Sequence, residues 1–97
     1  MAKKRPTVGR EYAITRVQTG VRMEKRLVKV LKALAEYHDI SLGDLLEGIV
    51  LHAFEGKAPF NDASLKVITD LKRVYGLELD ARASHRLSEE PDESQGK

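Results

Sequence analysis

Arg16, Gln18, Gly20 and Arg22 occupy alternate positions in one short stretch, and three of the four have side chains that can read a base edge. An arginine fork can donate to both guanine O6 and N7, and a glutamine amide can donate to and accept from adenine. Gly20 either lets a backbone and a base edge approach closely or softens the segment. Lys25 and Arg26 follow directly, while Lys3, Lys4, Arg5 and Arg10 precede. Cations so placed suit phosphate oxygens, which supply affinity without sequence choice. Residues 1–32 carry a formal charge of +8, residues 33–61 carry −4 and residues 62–97 carry −2. The basic excess at one end is the electrostatic footprint of a polyanion partner, with a solvated basic tail as the plainer alternative.

Other chemistries find little support. There is no cysteine, so thiol catalysis, disulfides and thiolate metal sites are out. His38, His52 and His85 have no second ligand at metal spacing. Ser41 is explained as a helix cap, with no base indicated beside it. Tyr12, Tyr37 and Tyr75 do not recur at the strand spacing of a stacking platform, which makes them packing residues. No enzyme activity, metal or cofactor is expected.

The elements that must position these residues follow from periodicity. From Ala13 to Met23 apolar or small residues alternate with Arg16, Gln18, Gly20 and Arg22, the period of a strand. A helical period takes over near Glu24, with Leu27, Leu31 and Leu34 as its apolar face through residue 37. Ser41 then caps a second helix, with Asp44 three residues on and Ile40 and Leu45 as a hydrophobic staple. Leu42, Leu45, Leu46, Ile49, Val50, Ala53 and Phe54 form its apolar series, and Gly56 ends it. A third helix is predicted over 62–75, capped by Asn61 and stopped by Gly76. The domain limits read as a flexible basic arm (1–12), a binding and dimerisation domain (13–56), a helical extension (57–79) and a disordered polar tail (80–97).

One strand leaves its backbone groups unpaired on both edges, and 97 residues bury little apolar surface. The simplest expectation is a homodimer whose strands pair about a two-fold axis. Its core would draw on Val17, Thr19, Val21 and Met23 from the strand, on Leu27, Leu31 and Leu34, and on Leu45, Leu46, Ile49, Val50 and Phe54. Arg16, Gln18, Gly20 and Arg22 would then be doubled on the opposite face, on a ribbon of major-groove width.

Residues 16–55 resemble the ribbon-helix-helix family, the fold of the Arc and MetJ repressors. The carrying features are the alternating RVQTGVRM, the basic helix EKRLVKVLKALAEY, the HDI link and the capped helix SLGDLLEGIVLHAF. The resemblance implies a mostly α fold with one short β-strand per chain, an intertwined homodimer with an intermolecular antiparallel β-ribbon, and here an added C-terminal helix. It further implies base contacts from Gln18, Gly20 and Arg22. The cap Ser41 and the amides of Leu42 and Gly43 would anchor a phosphate, as a helix N-terminus also favours. The sequence departs from the family pattern at Gly20, where a side chain often reads a base.

The expected function is a bacterial-type, sequence-specific regulator of transcription that binds double-stranded DNA, with repression as its mode and a cytoplasmic, nucleoid-associated location. No stretch reaches the apolar length of a membrane span. The alternatives are an antitoxin whose C-terminal region binds a toxin, and an assembly module that contacts DNA without regard to sequence.

Overall fold

The computed structural model describes residues 12–90. Lys3, Lys4, Arg5 and Arg10 lie outside them. Three helices, α1 (Lys25–His38), α2 (Leu42–Phe54) and α3 (Asp62–Tyr75), are followed by a single 3-10 turn, Ala81–Ala83.

Each helix is bounded by local chemistry. At the N-termini, the side chains of Glu24, Ser41 and Asn61 accept from the backbone N–H groups of Leu27, Asp44 and Ser64, at 2.7, 3.0 and 2.8 Å. These satisfy donors that the first turn of a helix cannot satisfy internally. At the C-termini the amides of Ile40, Lys57 and Leu77 each reach back five residues, to the carbonyls of Ala35, His52 and Lys72. That closure needs a left-handed residue just before the amide, supplied by Asp39 (φ 59°), Gly56 (φ 72°) and Gly76 (φ 71°). Asp39 is a non-glycine residue in this region, which aspartate tolerates better than most.

The helix α1 is central and packs against both α2 and α3. Leu34, 1 % exposed, Ala35 and Leu45 form the buried centre, with Leu31, Ile49, Phe60, Val67, Ile68 and Leu71 packed around them. The Oγ of Ser64, at the start of α3, lies 3.3 Å from His38 Nε2 at the end of α1. At the other end, a Cβ built on Gly76 would sit 3.8 Å from Arg26 Nε. The two helices therefore run antiparallel, and the chain leaving α3 emerges beside the chain entering α1.

The strand expected over 13–23 is not formed, and no strand occurs among the described residues. Residues 12–24 run as irregular chain up to the cap of α1. Alternation prepares two faces, but a strand exists only through ladder bonds to a neighbour. Among the described residues no segment pairs with residues 12–24. The ribbon-helix-helix fold is accordingly corrected to three helices preceded by an irregular arm.

The residues assigned to a dimer core divide along the same line. Leu34 and Leu45 are buried, and Leu27, Leu31, Leu46 and Ile49 are half-buried, all within one chain. Val17 (82 % exposed), Thr19, Val21, Met23, Val50 and Phe54 (83 % exposed) lie on the surface.

Candidate nucleic-acid interface

Arg16, Gln18, Gly20 and Arg22 are all exposed on the irregular arm. A Cβ on Gly20 would meet nothing within 4 Å, so no close packing demands a glycine there. Gln18 makes no side-chain hydrogen bond among the described residues. The two arginines, by contrast, are engaged. Arg16 donates from Nε and Nη2 to the two carboxylate oxygens of Glu47 on α2, both at 2.8 Å. Arg22 donates from Nε to Glu89 Oε1 at 3.3 Å and from Nη2 to the other oxygen.

These bonds, with the attraction of opposite charges, raise both guanidiniums above their ordinary value and lower the Glu47 and Glu89 carboxyls below theirs. All four groups are ionised at neutral pH. The side chains of Arg16 and Arg22 are 65 % and 83 % exposed, so water and salt screen both pairs and each couples weakly.

Next to the arm stands the basic surface of α1. Lys25, Arg26, Lys29 and Lys32 are exposed, and none forms an ion pair among the described residues. Lys25 and Arg26 sit in the first helical turn, which holds no acidic residue. Cations there oppose the helix dipole and cost a few tenths of a kcal/mol each, only partly offset by the Glu24 cap. Their charge adds to the positive end of the dipole, and an anion docking at this end would meet both.

The third group of predicted contacts is at the start of α2. Ser41 accepts from Asp44 N–H, and the first bond of this helix runs from Leu45 N–H to Ser41 O at 3.0 Å. The amides of Leu42 and Gly43 precede that bond. Asp44 stands in the same turn and its charge also acts on Arg16. The arm around residue 16 is thus held to the N-terminal half of α2 through Glu47.

Two of the three histidines are otherwise occupied. His52 Nδ1 pairs with the Gly48 carbonyl at 2.7 Å within α2, and the His38 ring meets Tyr37 edge-on. Sequence reasoning missed Glu47 and Glu89 as partners of the arginines. They lie 31 and 67 residues away, beyond any local pattern.

Comparison with known proteins finds no matching family model, no matching curated protein and no matching solved structure. No helix of the described residues is long and apolar enough to cross a membrane.

Proposed function

We propose that the chain is a regulator that binds double-stranded DNA, reads base edges with Arg16, Gln18 and Arg22, and holds flanking phosphates with the basic surface of α1. The observation that carries this reading is a cluster of exposed cations, Lys25, Arg26, Lys29 and Lys32, with no ion-pair partner among the described residues, beside an exposed arm bearing base-reading side chains. Two of those cations are held against their own helix dipole, an arrangement that a bound polyanion reverses from cost to gain. The resemblance of residues 16–55 to the ribbon-helix-helix regulators points to the same function, although the ribbon itself is withdrawn.

The functional unit on this reading is a homodimer. Helix α2 is apolar over most of its circumference, yet Val50, Leu51 and Phe54 are exposed, and so are Ile14, Val17 and Val21 on the arm. A helix of that composition is ordinarily covered. Repression is the proposed mode, since a small chain bound across a promoter blocks access without further parts.

The test is a titration of full-length protein against a mixed-sequence duplex over a salt series. Binding that weakens steeply with salt, and a slope that Lys25→Ala flattens by about one unit for each phosphate no longer held, supports the phosphate surface. Absence of binding at low salt contradicts it.

A further inference from the structure

The chain leaving α3 returns to the arm. Gly76 turns it beside Arg26, Leu77 is buried under the helices, and Lys72 Nζ donates to Leu79 O at 3.0 Å. Asp80 then accepts from the amide of Arg82, starting the short 3-10 turn. Held at these points, the chain carries Glu89 onto the guanidinium of Arg22. On the other side Glu47 holds Arg16 through both of its oxygens. Both arginines of the arm are therefore occupied by carboxylates of their own chain.

A carboxylate offers an arginine fork two acceptor oxygens, the same demand that a phosphate or the O6/N7 edge of guanine meets. The two kinds of partner cannot share the Nε/Nη2 edge that each carboxylate occupies, although the Nη1 side of the guanidinium stays open. Glu89 also opens an acidic run, since Glu90, Asp92 and Glu93 follow it in sequence. A polyanion seeking the edge of Arg22 that Glu89 holds must displace that carboxylate.

We propose that Glu89, with Glu47 in support, is an intramolecular competitor for DNA: it occupies the Nε/Nη2 edge of Arg22 in the free protein and must leave before that edge contacts a duplex. The inference rests on the DNA-binding function proposed above and adds a regulatory element to it. An exposed ion pair couples by a factor of about two to five, so the competitor tunes affinity and does not abolish it. Every duplex that engages this edge of Arg22 must displace Glu89, so the competitor sets affinity and adds no sequence choice of its own. Salt weakens the pair and the DNA contact alike, so the effect is largest at low ionic strength.

Two readouts on full-length protein test this. The first is the dissociation constant for a short mixed-sequence duplex, measured by anisotropy for the parent, Glu89→Gln, Glu90→Gln, Arg22→Ala and the Arg22→Ala/Glu89→Gln double variant. Glu90 carries the same charge one residue on and forms no ion pair among the described residues, so it controls for net charge. The second is the arginine Nε–Hε spectrum without DNA.

The expected result is that Glu89→Gln tightens binding by about two- to fivefold beyond Glu90→Gln, and that this gain disappears when Arg22 is alanine. The Arg22 side-chain resonance should move in Glu89→Gln and stay put in Glu90→Gln. Equal tightening by the two glutamine variants, or an Arg22 resonance indifferent to Glu89, would overturn the proposal. If the resonance moves but no variant binds duplex, the ion pair is real, the DNA-binding function is wrong, and the competition falls with it.

Discussion

At the scale of single residues, Arg22 and Ser41 carry separable tasks. Arg22→Ala should lower affinity for a preferred site on the order of tenfold to a hundredfold and relax the choice at one base pair in each half-site, measured with single-substitution duplexes. Its release from Glu89 sets the loss toward the lower end. Ser41→Ala removes the acceptor for Asp44 N–H and should cost about 0.5–2 kcal/mol in thermal or denaturant unfolding. The carboxyls of Glu47 and Glu89 are lowered in the folded state, so what they contribute is present above the ordinary carboxylate value of 4.5 and lost as pH falls through their depressed values. An acid titration of the arginine side-chain resonances should accordingly show Arg16 and Arg22 set free only as pH falls through those depressed values, and unchanged between pH 6 and 8.

The elements follow from how far apart the residues that define them are. All three helices are legible in the sequence because Ser41, Asn61 and Gly76 act within a few residues of themselves, and the apolar period does the rest. Residues 13–23 show a strand period in the sequence, yet the structure leaves them irregular. The period describes side chains, while a strand requires a neighbouring backbone, and none of the described residues supplies one. Glu47 and Glu89 were hidden for a related reason, since the contact across 31 residues depends on how α2 packs against α1 and the contact across 67 on the antiparallel placement of α1 and α3. That placement was not legible because the stripe of α3 did not name its partner. Leu34 joins α1 to both other helices, so Leu34→Ala should cost about 2–5 kcal/mol by denaturant unfolding, the range for a fully buried leucine.

For the whole molecule, the issue is what covers the apolar surface of α2 and the arm. Phe54 is 83 % exposed, so Phe54→Ser should leave the fold of one chain intact while weakening association of two. Sedimentation across a concentration series should show a dimer for the parent and a shift toward monomer for the variant, and the parent's melting temperature should rise with concentration. Concentration-independent melting of a monomer would place the function in one chain and leave the apolar surface to a different protein. On the proposed function, DNA binding depends on the basic surface of α1 together with the arm, and no single residue accounts for both affinity and choice.

The most direct test is selection of duplexes from a random-sequence library with full-length protein at near-physiological salt. A sequence-reading regulator should enrich a short repeat or palindrome, and Arg22→Ala should blur one position of each half-site. Retention without enrichment would leave only a sequence-blind association, and no retention would remove DNA from the account and direct the search to a protein partner of the C-terminal third.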